Sequence, residues 1–574
     1  MLTVLSILSL AQISIPIPSY SSPSAVPSPP SGLPTPASPN QFPPIITAPP
    51  PVAPSRPVDV VQHQTVHPLP GQLDDVPVFN SNSPELIQSD GILLSTFPSD
   101  GMRVPSAHLD FPLKGRFDIF AHHVARGLTL DDTRTLFLGI VLYNPGNEPV
   151  TVDILQATSY LSQDAPFTDL PDYVADPTGA VYAGPGSRTT SDVLRGNRQP
   201  QWPAQVTIPP RQSYLLVNLP IPLRRLTVAT DGTLPQGYII PTPRPTSAQP
   251  VTAEEPDDEM ESQQPGMTTA AALARLPAIT SQAATAATKP STAPPPILPP
   301  IDRRLLPTNG RTVLMHLSSS GSVYVASLAM FAPKTPGGDE RVPTLTEWLQ
   351  LLQNGTLAGP RDHPPTPPNS RFVPRFYYGR VAGIAEGSEW SAIATDSPNV
   401  DYLSIPQPGH ELSYVISTVD RNTLGTEQIQ SAPILVRYSD TAYRAHGNYG
   451  VFYNISLPLY NHTNSTQRVV IMLQTPLQDE RLKNGLRFRD PPYDQIFFRG
   501  TVRLRYTDDF RIPQTRYFHV VQRRGQEGQP LLRLTLPRGS RRLVEVQFIY
   551  PPDSTPPQVL TVETDGNPEM VEIR

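Results

Sequence analysis

Apolar residues along this chain come in short runs or alternate with polar ones, and almost nowhere do they recur at the spacing of a helix. Runs such as "RTLFLGIVLYN" (Arg134 to Asn144), "PVTVDILQA", "QVTIPPRQSYLLVNLPI", "RTVLMHLSS", "GSVYVASLAMF" (Gly321 to Phe331), "RFYYGRVAGIA" and "HELSYVISTV" are rich in Val, Ile, Leu, Tyr and Thr. Clusters of Pro, Gly, Asn and Ser bound them. β-branched and aromatic side chains fit a pleated, half-buried surface, so this pattern predicts a mainly β protein with two β-sandwich-like modules. One stretch breaks it. In "TLTEWLQLLQNG", Thr344 and Glu347 have capping-box spacing, and Leu345, Trp348, Leu349 and Leu352 fall on one face. This spacing predicts one short amphipathic helix over 344–354, with Trp348 as a core anchor and Gly355 in the left-handed position that ends it.

A phrase is repeated within the strand pattern. "VLYNPGNEPVTVDI" (Val141 to Ile154) is echoed by "PLYNHTNSTQRVVIM" (Pro458 to Met472). Each copy is followed later by a strand entered through Pro and a polar turn, "TIPPRQSYLLVNL" (Thr207 to Leu219) and "TLPRGSRRLVEVQF" (Thr535 to Phe548). In the first copy Asn144, Pro145, Gly146 and Asn147 fit a type II turn, with Pro second and Gly third. Matched features in the same order mark related scaffold in the two modules, with Tyr143 and Tyr460 as strand residues leading into turns.

Composition adds the boundaries. Prolines number 75 in 574 residues, well above the usual share of about 5%, and they concentrate in two segments. Proline fixes φ and cannot donate to a ladder, so these segments read as disordered spacers. The N-terminal "MLTVLSILSLAQIS" has an apolar run too short to span a bilayer and small residues at Ser9 and Ala11, which suits a signal peptide lacking its basic start. The expected organisation is a signal peptide at 1–11, a Pro/Ser-rich spacer at 12–72, and module one at 73–240 plus 301–335. A Pro/Ala/Thr-rich insert fills 241–300, with a short helix expected in Met267 to Ile279. A middle segment follows at 336–440, and module two occupies 441–574.

Certain phrases also resemble a known family. "GRFDIFAHHVARG", "HGNYGVFYNISLPLYNHT", "FFRGTVRLRY" and "YPPDSTPPQVLTVET" are similar to those of an uncharacterised family of exported cyanobacterial proteins, a domain of unknown function. The resemblance covers nearly all of the chain outside the spacers. It implies a cyanobacterial source and export, and it carries over no activity and no catalytic residues.

Charge and motifs narrow the chemistry. The net charge of −6 does not suggest nucleic-acid binding. The absence of cysteine rules out disulfides, thiolate metal sites and a Cys nucleophile, and no Walker loop, GxGxxG, GxSxG or HExxH is present. No cofactor or metal is implied. Adjacent His122 and His123 would point to opposite faces of a strand. His63 and His67 have helical ligand spacing beside a proline spacer. Asp169, Asp172 and Asp176 cluster in a loop without EF-hand spacing. For glycan catalysis, Glu386 and Glu389 stand near Trp390, after the aromatic pair Tyr377 and Tyr378.

The most suggestive surface is in module two. Residues 441–574 hold 18 basic and 13 acidic residues, a net +5. Alternation in "FFRGTVRLRYTDDF" puts Val502, Leu504 and Tyr506 on one strand face and Arg503 and Arg505 on the other. With Arg499, Arg511, Arg523 and Arg524, and further Arg516, Arg541 and Arg542, this side would form a basic surface with aromatics. The alternative is a protected sheet whose arginines pair with Asp508, Asp509 and Glu545. The expected protein is a non-catalytic exported component of the cell envelope with a structural or adhesive role. It would work in the periplasm, the outer envelope or outside the cell, holding an anionic polysaccharide or envelope proteins through module two. A glycan-active enzyme and a soluble periplasmic assembly factor are the alternatives.

Overall fold

The longest strand, Thr308–Phe331, organises the first of two β-sandwiches. In the computed structural model, which describes residues 56–242, 306–368, 370 and 373–566, its first half pairs antiparallel with Leu113–Arg126 and Val150–Leu161. Its second half pairs with Thr135–Tyr143 and Gly91–Ser95. Register shifts between Ser319 and Val323, where small residues let one strand turn the corner from one sheet to the other. Side chains from both sheets, among them Phe117, Ile119, Ile140, Leu142, Val313 and Val325, close a common core.

The second sandwich faces a sheet containing Phe452–Tyr460, Ile496–Thr507, Pro513–Arg523 and Arg541–Ile549 against one containing His410–Ile416, Gln467–Gln474, Pro530–Leu536 and Gln558–Thr564. Strict alternation in Phe452–Tyr460 sends Tyr453, Ile455, Leu457 and Leu459 inward. They meet Ile471, Leu534 and Leu560 from the facing sheet. Each buried aliphatic contributes about 1.5–3 kcal/mol, so the period-2 pattern in the sequence is also the energetic basis of the sandwich. The protein is mainly β, with two sandwiches, as the strand pattern implies.

The boundaries between modules differ from those expected. Residues 58–72, assigned by composition to a spacer, contain strands, one in a separate two-stranded sheet and the others in sandwich two. Val58–Gln62 pairs with Leu486–Asp490, Thr65–His67 with Leu412–Tyr414, and Gln72 and Leu73 with Ser391 and Trp390. The middle segment is not a unit either. Ala382–Glu386 and Ala432–Arg437 extend sandwich one, while Glu389–Ile393 and His410–Ile416 belong to sandwich two. Tyr173–Ala175, within the span of module one, is an edge strand on Pro513–Arg523. The chain therefore passes repeatedly between sandwiches that composition alone separates. The signal-peptide reading, most of the first spacer, nearly all of the insert and the helix at 267–279 lie outside the described residues.

The expected helix is present as Leu345–Asn354, with a reciprocal Thr344 and Glu347 capping box. Trp348 is fully buried. A Cβ on Gly139 would lie 2.7 Å from its ring, so that glycine makes room for the indole. Gly355 is extended, with φ −78° and ψ 162°, contrary to the left-handed expectation. A second helix, Ser187–Leu194, was not foreseen. Its Ser, Thr and Asp are poor helix formers, and burial of Val193 and Leu194 in the seam between the sandwiches outweighs that preference.

The repeated phrase is a repeated hydrogen-bond device. Asn144 and Asn461 are both fully buried. Asn144 Oδ1 accepts from Gly146 N at 2.8 Å, and its Nδ2 donates to Glu148 O at 2.7 Å and Ile208 O at 3.0 Å. Asn461 Oδ1 accepts from Thr463 N at 2.9 Å, and its Nδ2 donates to Ser465 O and Leu536 O, each at 2.8 Å. In both copies one amide closes its own turn and clamps the end of the strand in the second echo. Gly146 is absent from the left-handed glycines, so the turn is an Asx turn and not the type II turn expected.

Candidate functional site

The arginines of module two do not form one surface. Arg499 is buried, with Nε 2.8 Å from Asp553 Oδ2. Arg503 does share the outward face with Arg505. However, its Nη1 donates to Leu194 O at 2.8 Å and its Nε to Gln547 Oε1 at 2.7 Å. The carbonyl belongs to the last residue of helix Ser187–Leu194, where a cation is favoured by the helix dipole, so Arg503 ties the two sandwiches together. Arg505 lies across from Glu545 at 3.6 Å. Arg511 is exposed at a hairpin tip with φ 64°, and Arg523 is exposed elsewhere. Arg541 pairs with Asp401, and Arg542 donates to Thr507 O and Asp508 O. Tyr506 is a core residue, 7% exposed. Because the Arg505 and Glu545 pair is solvated, Arg505→Glu should change stability by less than about 1 kcal/mol; a larger shift in the urea midpoint would contradict this placement.

Arg524 is the exception among these residues. It lines a cavity of about 510 Å³ where the two sandwiches meet, a volume within the range of small-molecule sites. Sandwich one supplies Asn80, Asn82 and Tyr377 through Val381, and sandwich two supplies Phe497, Arg524 and residues 555–557. Four aromatic residues, Tyr377, Tyr378, Tyr449 and Phe497, and two histidines contribute rings to the wall. Tyr377 stacks on His363 with centroids 4.0 Å apart, and Tyr378 is edge-on to His446 at 4.8 Å. The Tyr378 hydroxyl donates to Asp420 O at 2.6 Å, and the Tyr449 hydroxyl to Ser554 O at 2.9 Å, so both rings are held in place.

The polar wall has uneven saturation. Asn80 and Asn82 are 5% and 6% exposed, and their Oδ1 atoms accept no hydrogen bond among the described residues; Asn422 Oδ1 is likewise unpaired. Buried polar atoms ordinarily find partners; these three oxygens are closed off from the cavity, so they mark an unsaturated wall and not acceptors that a ligand meets directly. Arg380 is engaged by Glu85 and by Asp362. Burial, aided by Arg444, pushes His446 down to about 4, which leaves the ring neutral at pH 7. The arrangement can stack planar or ring-shaped groups and accept hydrogen bonds from hydroxyls.

Tyr377 and Tyr378 stand out in the sequence as an aromatic pair, although "RFYYGRVAGIA" reads as a strand throughout and the strand begins only at Ala382. Asn80, Asn82, His446 and Phe497 do not, since nothing local distinguishes them from scaffold. The other candidates fall elsewhere. Glu386 and Glu389 do not line this cavity; Glu389 accepts from Ser391 Oγ and Asn454 Nδ2, and Trp390 is in the core of sandwich two. Asp176 accepts from Ala180 N, Val181 N and Arg195, and Asp172 from Gln526. His122 bonds Thr312 Oγ1, and His123 bonds Ser81 Oγ and Pro84 O. His67 lies in a short strand, its ring 5.7 Å from that of Tyr414.

A family model described as "Protein of unknown function (DUF3370)" matches residues 64–564. That match begins among the first strands of sandwich two and spans both sandwiches and the insert. No curated protein matches the chain.

Proposed function

We propose, from its own residues because the DUF3370 family to which this chain belongs has no assigned activity, that the protein is an exported, non-catalytic component of the cell envelope with an adhesive role. It holds an envelope glycan in the cavity between its sandwiches. The observation that carries this reading is the set of aromatic rings, Tyr377, Tyr378, Tyr449 and Phe497, on the wall of a cavity that also carries the polar side chains of Asn82, Asp362 and Gln478. Sugar rings present apolar faces for stacking and hydroxyls that donate to or accept from such side chains. The arginine-rich strand face is divided between tethers and ion pairs, which leaves the cavity as the place for the glycan.

The test is retention of the full chain on envelope polysaccharide. Tyr377→Ala and Tyr378→Ala should each weaken retention about five- to tenfold, the scale of one aromatic contact. Arg505→Glu should leave it unchanged. Unchanged retention in both tyrosine variants, or shortening of the polysaccharide by the wild-type chain, would sink the proposal. Fractionating cells into periplasm, outer membrane and medium tests export directly.

A further inference from the structure

We infer that the cavity reads the charge of its ligand, taking a sugar that bears an anionic group, a carboxylate or a sulfate ester, with that group at Arg524. This rests on the glycan reading above and goes further by naming the ligand class and its orientation. Two guanidinium groups line the cavity, Arg380 and Arg524. Arg380 is shared by two carboxylates, Glu85 and Asp362, so it offers an anion no uncompensated charge. Arg524 is half-buried and enters none of the ion pairs of sandwich two among the described residues.

Its position is nevertheless fixed. The backbone N–H of Arg524 donates to Gln495 O at 2.8 Å, and its carbonyl accepts from Tyr493 N at 3.0 Å. The guanidinium lies over the rings of Tyr493 and Phe497, at 4.8 and 5.8 Å. Those rings orient the planar group without cancelling its charge or occupying its donors. A guanidinium held this way, with five N–H donors and no carboxylate, matches an anionic oxygen pair. The polar side chains of Asn80 and Asn82 belong to the wall that sandwich one supplies. The acid group therefore faces sandwich two and the sugar hydroxyls face sandwich one.

The experiment titrates the full chain calorimetrically with an oligoglucuronate, its methyl ester and a sulfated oligosaccharide of similar length. Wild type should bind one of the acids at least tenfold more tightly than the ester, the scale of one charge-assisted hydrogen bond. Arg524→Gln should lower the acid to the level of the ester, Arg524→Lys should recover part of the difference, and Arg523→Gln, at the exposed neighbour, should change nothing. Whichever acid binds more tightly identifies the anionic group. Equal binding of acid and ester by wild type overturns this inference and leaves the glycan reading standing. No binding by any of the three overturns both. Should Arg524→Gln fail to fold, the ratio of acid to ester in wild type and in Arg524→Lys decides.

Discussion

Lowering the pH from 7.5 to 4.5 is expected to cost this protein several kcal/mol of stability, seen as a large fall in the urea midpoint. Burial pushes His122, His446 and His519 down to about 4 and His123 to about 3. A histidine whose folded pKa is depressed stays neutral in the fold while the unfolded chain takes up a proton near pH 6.5. Its contribution is complete above that pH and is lost as the pH falls from about 6.5 toward 4. Each deeply buried ring shifted this far represents about 2–3 kcal/mol at pH 4.5. His123 shows why. Its Nδ1 must donate to the Pro84 carbonyl, so its Nε2 accepts from Ser81 Oγ; a second proton would reverse that bond and place an imidazolium in a fully buried site with no carboxylate bonded to it among the described residues.

Four carboxyls oppose this trend. Burial pushes Glu411 up to about 7 and Asp553 up to about 6, and raises Asp90 and Glu563 as well, so each costs stability when ionised and relieves that cost as the pH drops. These groups, all less deeply buried than His122 and His123, offset part of the effect of four imidazoles. The net sign is a loss. His519 offers the sharpest control, because both its ring nitrogens are buried without a partner among the described residues. His519→Leu should reduce the acid loss by about 2 kcal/mol while changing the midpoint at pH 7.5 far less. A midpoint that holds or rises on acidification would show that these rings are not kept neutral by the fold.

Arg311→Ala should destabilise the protein by about 4 kcal/mol. Arg311 is 1% exposed on the strand that turns between the sheets of sandwich one. Its Nε donates to Pro220 O at 3.0 Å, Nη1 to Ser159 Oγ at 3.0 Å and Nη2 to Thr230 O at 2.6 Å. Removing it leaves three acceptors without their donor and opens a cavity the size of the side chain. Arg311→Lys keeps the charge but cannot reach all three, so about half the loss is expected. Equilibrium urea unfolding at constant m measures both. A loss below about 1 kcal/mol for the alanine variant would mean that those acceptors are satisfied some other way.

The strand content, the helix with Trp348 and the duplicated phrase were all readable from side-chain periodicity and capping residues, because those signals are local. What escaped was partnership at long range. Val58–Gln62 has strand composition, but it follows a proline-rich stretch, and only its pairing with Leu486–Asp490 makes it part of the fold. Helix Ser187–Leu194 is set by burial against propensity. Arg503 and Arg505 were correctly put on one face, yet alternation cannot reveal that a helix end from the other half of the chain occupies part of it. The cavity draws on positions from Asn80 to Pro557, so only Tyr377, Tyr378 and Arg524 could have drawn notice beforehand.

The early strands of the chain bear on the order of synthesis. Thr65–His67 waits for Leu412–Tyr414, and Val58–Gln62 waits for Leu486–Asp490. When a ribosome has made the first half of this chain, its leading strands still have no template to dock on. Closing loops of that span is slow, and sandwich two can be completed only when nearly the whole polypeptide is available. A chain with this wiring stays open to a translocation channel for longer than one whose halves fold in succession. Under the export proposed above, such a topology would suit passage as an extended thread followed by folding on the far side.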